Sequence, residues 1–137
     1  YKEEILISVK IIFMKKFVFT IITILIMHIG FSQTDNTYQK TLDSISAVVI
    51  HYMQAKQADS IYALAGQDFK NQLTQENFKS ISENQVFPLN DFQKVTFMST
   101  ENGVNSYKVD GTPALKLLIS LDEKSKLETF LIKPFTD

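Results

Sequence analysis

The hydrophobic pattern of this chain changes its period near Pro88, and this change limits the folds that the chain can adopt. Between residues 38 and 52, apolar side chains recur at steps of three and four, which is the spacing of one helix face. Between residues 115 and 121, every second side chain is apolar, which is the spacing of a strand with one buried face. The sequence therefore predicts helices followed by an antiparallel sheet, an α+β domain.

Three helices are predicted before Pro88. The first spans about residues 37–56, and Asp59 is expected to cap a short second helix that ends at Gly66, a residue suited to the left-handed position after a helix. Thr74 is the expected N-cap of the third helix, which should stop before Pro88 because proline disfavours helical geometry in the preceding residue. The apolar stripe of the first helix consists of Tyr38, Leu42, Ile45, Val49 and Tyr52.

Four antiparallel strands joined by short turns are predicted after Pro88. In the last of them, alternation places Leu127, Thr129 and Leu131 on one face and Phe130 and Ile132 on the other. The expected strands are residues 92–98, 106–109, 115–121 and 126–133, with turns at 101–103 and 122–125. Residues 38–135 are interpreted as a single domain, and residues 33–37 as a flexible N-terminus.

Residues 14–32 have the pattern of a secretory signal peptide. Two lysines precede thirteen residues without formal charge, 17–29, and a small-x-small triplet follows, which predicts cleavage between Ser32 and Gln33. The apolar segment is shorter than the ~20 residues that a membrane-spanning helix needs. The sequence therefore predicts export to the periplasm or the extracellular space, with no stable membrane anchor after cleavage.

The thirteen residues ahead of Met14 are interpreted as an over-extended start, since the sequence does not begin with methionine. If they are translated, residues 11–13 add apolar length before the two lysines. An uncleaved signal anchor is then the alternative to a cleaved signal peptide.

The composition after residue 32 excludes several classes of function. Ten lysines, thirteen acidic residues and no arginine disfavour nucleic-acid binding, which needs a basic face. The chain has no cysteine, so its stability must come from one hydrophobic core rather than from disulfides. The sequence contains neither the ligand spacing of a zinc site nor a glycine-rich phosphate loop. No cofactor is therefore predicted.

No motif in the sequence assigns a catalytic or a metal-binding residue. His51, the only histidine after residue 32, lies beside Tyr52 at a helix end and is interpreted as a surface or core-edge side chain. Tyr52, Tyr62 and Tyr107 are the candidate pocket-lining residues, because their rings are apolar and their hydroxyls are directional. Ordinary amphipathic tyrosines at the edge of the core are the alternative interpretation.

Four segments carry a resemblance to a known family: ADSIYAL at 58–64, DFKNQLT at 68–74, LLISLD at 117–122 and ETFLIKP at 128–134. They resemble the small nuclear transport factor 2-like, cystatin-like domains of unknown function in exported bacterial proteins. In that family the domain often follows a signal peptide and precedes a β-lactamase-like serine hydrolase. The resemblance implies helices packed into the concave face of a curved four-stranded sheet, a cone whose interior can hold a ligand.

Three functions are compatible with this resemblance. The leading hypothesis is an exported, non-catalytic accessory domain that binds a small ligand or an exported protein partner. The second is a small isomerase or hydrolase that uses a carboxylate and a tyrosine inside the cone, with Asp43, Asp68 and Asp110 as the acids to examine. The third is the N-terminal module of a truncated serine hydrolase.

A structural role is a further hypothesis. Leu118, Phe130 and Ile132 are expected to leave an apolar patch on the outer face of the sheet. Such a patch predicts a homodimer that forms through the sheet.

Overall fold

The computed structural model describes residues 36–136, which form helices followed by a four-stranded antiparallel sheet in the order β1-β2-β3-β4. The α+β prediction is confirmed. The predictions for the start, the signal peptide and the Ser32–Gln33 cleavage lie outside the described residues. The helices are α1 (Asn36–Gln54), α2 (Ala58–Ala63), α3 (Gln67–Gln72) and α4 (Gln75–Ile81), and the strands are β1 (Val95–Glu101), β2 (Val104–Val109), β3 (Leu115–Leu121) and β4 (Leu127–Pro134).

The hydrophobic core lies between α1 and one face of the sheet. The odd-numbered side chains of β3 are all buried on this face, as the alternation predicts. The buried stripe of α1 is centred on Leu42, Ser46, Val49 and Met53, while Tyr38, Ile45 and Tyr52 lie half-buried at its margin. Within residues 36–136, no helix is long and apolar enough to cross a membrane.

The first residues of α1 are ordered by Tyr38. Its hydroxyl accepts a hydrogen bond from the Leu121 amide at 3.2 Å and lies 2.9 Å from the Gly103 carbonyl, to which it donates. Burial raises the pKa of this hydroxyl. Asn36 and Thr37 are already helical, so α1 begins at Asn36, one residue before its predicted start.

The prediction for α2 is wrong at both ends. Gln57, not Asp59, occupies the N-cap position, and Asp59 lies in the first turn, where its Oδ2 binds the Lys79 ammonium at 2.9 Å. This hydrogen bond lowers the pKa of Asp59 and raises the pKa of Lys79. The ion pair joins α2 to α4 across an exposed surface.

Gly66 is extended, with φ −77° and ψ 172°, and precedes α3, a helix that the sequence analysis missed. Its amide donates to the Leu127 carbonyl at 2.9 Å, and the Leu127 amide donates to Leu64. A Cβ at Gly66 would overlap the Asp122 carboxylate. The glycine therefore permits close approach of the chain to β4 rather than a left-handed turn.

The Thr74 cap of α4 is confirmed, since the Asn77 amide donates to Thr74 Oγ1 at 3.3 Å. The predicted stop before Pro88 is confirmed, since α4 ends at Ile81, but Phe87 directly before the proline is helical, with φ −61° and ψ −32°, which the prediction did not expect. A π-helical turn, Ser82–Val86, and a 3₁₀ turn, Phe87–Leu89, carry helical geometry past the proline. Pro88 lies in the first turn of the 3₁₀ segment, where its missing amide hydrogen costs no helical hydrogen bond.

The first strand begins three residues later than predicted. Phe92 adopts a left-handed φ of 57° and is fully buried, and its amide donates to Asn90 Oδ1 at 2.8 Å. This Asx turn reverses the chain before β1. The predicted turn after β1 is confirmed, since Asn102 and Gly103 both have positive φ, as a two-residue hairpin requires.

A bulge in β4 changes the predicted faces of that strand. Leu121 pairs with Leu127 and Ser120 pairs with Thr129, so Glu128 is an extra residue. Leu127 therefore lies on the same face as Phe130, towards the helices, and the predicted alternation is wrong at this end. Ile132 also faces the core. The predicted outer-face patch, in which Ile132 would lie beside Leu118, therefore does not form.

Ser46 leads to a stability prediction. It is fully buried on α1, and within the described part of the chain its hydroxyl has no hydrogen-bond partner. Ser46→Ala is expected to raise the free energy of unfolding by about 1 kcal/mol, because it removes an unsatisfied buried hydroxyl and improves helix propensity. Urea unfolding followed by circular dichroism measures the change.

The control for this prediction is Ser44→Ala, which lies on the exposed side of the same helix and donates to the Lys40 carbonyl. It combines the helix-propensity gain, about 0.5 kcal/mol or less, with the loss of this one exposed hydrogen bond, and it leaves no buried hydroxyl behind. If the two substitutions change stability equally, the buried hydroxyl of Ser46 is not a destabilising group.

Candidate functional site

A polar cluster lies between α1 and the β1–β2 hairpin, on the face of the sheet that carries the core. Asn105 is at its centre, and every other member bonds to the side chain of Asn105. We call it the Asn105 cluster; its members are Gln39, Asp43, Thr100, Asn105 and Tyr107.

Asn105 is fully buried and uses its whole hydrogen-bonding capacity. Its Nδ2 donates to Asp43 Oδ1 at 2.9 Å and to the Tyr107 hydroxyl at 3.1 Å. Its Oδ1 accepts from Thr100 Oγ1 at 2.6 Å and from Gln39 Nε2 at 3.1 Å. An amide has two donor hydrogens and two acceptor lone pairs, so the orientation of Asn105 is determined by its partners.

The outer part of the cluster orients one carboxylate. Gln39 Nε2 lies 2.8 Å from Asp43 Oδ1, one helical turn away on α1, and 3.2 Å from Thr100 Oγ1. Asp43 Oδ1 thus accepts from both Gln39 and Asn105. Because the Asp43 side chain is exposed, its second oxygen is positioned to accept a hydrogen bond from a ligand.

An aromatic surface adjoins the cluster. Tyr107 is buried, and its ring packs edge to face with Phe97 at a centroid distance of 5.7 Å. Phe97, in contrast, is 53% exposed. Tyr107 thus connects an exposed apolar ring to the cluster that holds the Asp43 carboxylate, and the two together suit a small amphipathic molecule.

The three acids named in the sequence analysis lie in different places. Asp43 belongs to the cluster, and Asp68 is exposed in the first turn of α3. Asp110 accepts from Lys94 at 2.9 Å, with Lys108 at 3.7 Å, and the hydrogen bond from Lys94 lowers its pKa. The structure does not bring these three carboxylates together.

The three candidate tyrosines are also separated. Tyr107 belongs to the Asn105 cluster, whereas Tyr62 donates to the Leu73 carbonyl at 2.8 Å and packs in an aromatic group of the helices. Tyr52 is half-buried at the end of α1, where its ring lies 6.0 Å from that of the exposed His51. Among the described residues, no ring contact or hydrogen bond joins one of these tyrosines to another.

No sequence pattern identifies Asn105, Gln39 and Thr100 as members of a site. Asn105 precedes the predicted second strand, 106–109, so its side chain was not assigned to a face. A strand that starts at Val104 places Asn105 and Tyr107 on one face, and a polar side chain on a core face is a usable signal. Within residues 36–136, no group of three or more metal-ligating side chains comes together.

Comparison with known proteins found no match: no family, no curated protein and no solved structure is similar to this chain.

Proposed function

We propose that this protein is an exported, non-catalytic domain that binds a small ligand at the Asn105 cluster. The observation that carries the proposal is that Asn105 bonds both to the Asp43 carboxylate and to Tyr107, whose ring contacts the exposed ring of Phe97. A buried amide with four partners keeps the site in one arrangement before a ligand arrives. Such preorganisation favours binding because less freedom is lost on association.

The chemistry of the site indicates the class of ligand. Asp43 accepts hydrogen bonds and attracts a positive charge, and the Phe97 ring offers apolar contact area. The Tyr107 hydroxyl accepts from Asn105, so its own hydrogen is directed elsewhere. The ligand class that fits is a small organic cation or hydrogen-bond donor with a flat apolar part.

A cone-pocket isomerase or hydrolase is the second candidate, and one observation favours it: Asp43 and Tyr107 both bond to the same Asn105 amide. A general base of this kind is usually tuned by burial, which raises the pKa of a carboxyl group. Asp43 and Asp68 are exposed, and the pKa of Asp110 is lowered. This environment supports binding over catalysis.

Export and the cystatin-like cone belong to the same proposal. Export rests on the signal-peptide pattern of residues 14–32. The cone is supported by the order of the elements, helices first and a four-stranded meander second, and by the packing of α1 on one face of the sheet. The apolar contact of Leu42 and Val49 with that face is the packing that the cone requires.

The test expresses the full chain in cells, purifies the protein that accumulates and uses benzylamine as the probe. Mass spectrometry is expected to place its N-terminus at Gln33. Titration with benzylamine, followed by amide chemical shifts, is expected to perturb signals around Asp43, Phe97 and Asn105. Asp43→Asn is expected to weaken binding about 10- to 150-fold, because a charge-assisted hydrogen bond is worth about 1.5–3 kcal/mol.

Two controls separate the site from the surface at large. Asp68→Asn removes an exposed acid outside the cluster and should leave the affinity unchanged, and benzoate, which carries the opposite charge, should not bind. Equal affinity of Asp43→Asn and the unaltered protein would contradict the site. Robust turnover of an ester, lactam or steroid substrate by the unaltered protein would contradict the non-catalytic role.

A further inference from the structure

We propose that the open edge of β1 is a homodimer interface, in which two copies of this chain pair their β1 strands antiparallel about a two-fold axis between Phe97 and Met98. In the described part of the chain, β1 pairs with β2 alone. Its other edge therefore presents backbone N–H and C=O groups that can pair with a second strand.

The middle of this edge is apolar. Phe97 is 53% exposed and Met98 is 44% exposed, and the only other large hydrophobic side chain so exposed within residues 36–136 is Val48, on α1. Two adjacent apolar side chains at the centre of an open strand edge are a liability for a monomer. Pairing about an axis between them would bury both residues from each copy, so the dimer and a ligand at Phe97 would compete for the same ring.

A bulge at Met98 gives the two halves of β1 opposite parity. Before the bulge, Phe97 pairs with Tyr107, so odd-numbered side chains face α1. After the bulge, Thr100 pairs with Asn105, so even-numbered side chains face α1. Ser99 lies on the outer face, where its hydroxyl is 3.0 Å from that of Ser106.

This change of parity makes the strand complementary to itself. Directly opposite residues of an antiparallel pair share a face. With the axis between Phe97 and Met98, Thr96 lies opposite Ser99 of the partner subunit, and both belong to the outer face. Val95 lies opposite Thr100 of the partner subunit, and both belong to the face towards α1. In a strand without the bulge, the same register would pair residues of opposite faces.

Charges at the two ends of the edge complete the match. The same register brings Lys94 opposite Glu101 of the partner subunit, and the two-fold axis repeats the pair. The Lys94 side chain is 78% exposed although its ammonium binds Asp110 at 2.9 Å, so Glu101 of the partner subunit would join an existing ion pair; the Lys94 carbonyl accepts from the Asp110 amide, so the β1–β2 ladder extends to this residue. Glu101 is exposed and shares the outer face with Ser99, which donates to it at 3.2 Å.

The bulge also limits the strength of the dimer. Edge bulges interrupt regular ladder bonding, so the side chains must carry much of the contact. The contact is small and belongs to the weak, transient class of interfaces. Association is therefore expected to depend on concentration.

Cysteine cross-linking tests the register, because the chain has no cysteine of its own. Thr96→Cys and Ser99→Cys proteins are prepared from the full chain, in the form that cells accumulate. When the two proteins are mixed and oxidised, we expect a disulfide-linked dimer. The Cβ atoms of directly opposite residues lie about 4.5–5.5 Å apart, which is close to the Cβ–Cβ distance across a disulfide. In a dimer of two copies of the same variant, the two cysteines lie about three residues apart along the paired strands. Each variant alone should therefore cross-link several-fold more slowly than the mixture.

The control mixture combines Val48→Cys with Thr96→Cys, which joins the edge to an exposed apolar site on α1. Sedimentation of Met98→Lys and Val48→Lys gives the second readout: the first substitution should abolish the concentration-dependent dimer and the second should not. Cross-linking no faster than the control mixture, fastest cross-linking by Thr96→Cys alone, or a monomer at about 1 mM would each overturn the proposal.

Discussion

Phe78→Ala is expected to lower the free energy of unfolding by about 3–5 kcal/mol, the range for truncating a buried phenylalanine. Phe78 is buried at the centre of an aromatic group that joins α4 to β4. Its ring centroid lies 5.6 Å from that of Tyr62, 5.9 Å from Phe69 and 5.8 Å from Phe130. Truncation removes all three ring contacts and leaves a cavity between the helices and the sheet.

This loss is a large part of the total stability of such a domain, since the free energy of unfolding of native proteins is about 5–15 kcal/mol. Urea unfolding followed by circular dichroism measures it, and an unchanged slope with urea shows that the same surface is exposed on unfolding. If Phe78→Ala does not fold, Phe78→Leu retains part of the packing and is expected to cost about 1–2 kcal/mol.

Phe97→Ala is the matched control, because it also removes a phenyl ring. Phe97 is largely exposed and has one ring contact, with Tyr107. Its loss is expected to cost less than about 1 kcal/mol, the energy of a single aromatic pair. Equal costs at the two positions would mean that the aromatic group does not join the helices to the sheet.

The change of period near Pro88 was sufficient to predict the class of the fold. Alternation in β3 and the Asn102–Gly103 turn are local properties, and both are confirmed. The predicted apolar stripe of α1 lies close to the observed buried stripe. The observed stripe includes Ser46, which the apolar pattern did not contain because serine is polar. Patterns of this kind succeed where one side of an element packs on a single partner.

The errors occur where tertiary contacts override local preference. Gly66 is extended because it bonds to Leu127, about sixty positions away, and no local pattern contains that contact. The faces of β4 changed because Glu128 is an extra residue relative to β3, and no glycine marks this bulge in the sequence. Phe87 is helical although Pro88 follows it, since Pro88 lies in the first turn of a 3₁₀ segment that is separate from α4.

The site was predicted only in fragments. Asp43 and Tyr107 were named separately, as an acid and as a pocket-lining residue, but the amide that joins them was not. Its partners lie on α1, β1 and β2, so the cluster exists only after the hairpin has packed against the helix. A network assembled from three elements cannot be recognised from spacing within any one of them.

Asn105→Asp is expected to destabilise the protein by about 3–5 kcal/mol at pH 7, the cost of leaving an uncompensated buried charge. The substitution keeps the shape of the side chain but replaces the Nδ2 donor with an acceptor. That atom lies 2.9 Å from Asp43 Oδ1, so two carboxylate oxygens would meet in a buried place. Both the burial and the neighbouring Asp43 raise the pKa of the new carboxyl group in the folded state.

The raised pKa determines how the loss depends on pH. A carboxyl group whose pKa is higher in the folded than in the unfolded state favours folding in its protonated form. The difference in stability between Asn105→Asp and the unaltered protein should therefore be smallest below about pH 4, the pKa of an unfolded aspartate. This difference should grow as the pH rises through the pKa of the new carboxyl group in the folded state. Above that pKa it should remain constant.

Asn102→Asp is the matched control, since it makes the same replacement in the same hairpin. Asn102 is exposed in the turn, and aspartate is accepted before glycine in turns of this type. We expect a change within about 0.5 kcal/mol and a weaker dependence on pH. If Asn105→Asp instead unfolds at the same urea concentration as Asn102→Asp at pH 7, the Asn105 amide is not held between Asp43 and Tyr107. The preorganised site on which ligand binding depends would then be absent, because the Asn105 amide is the group that joins the Asp43 carboxylate to Tyr107 and, together with Gln39, keeps it in a single orientation.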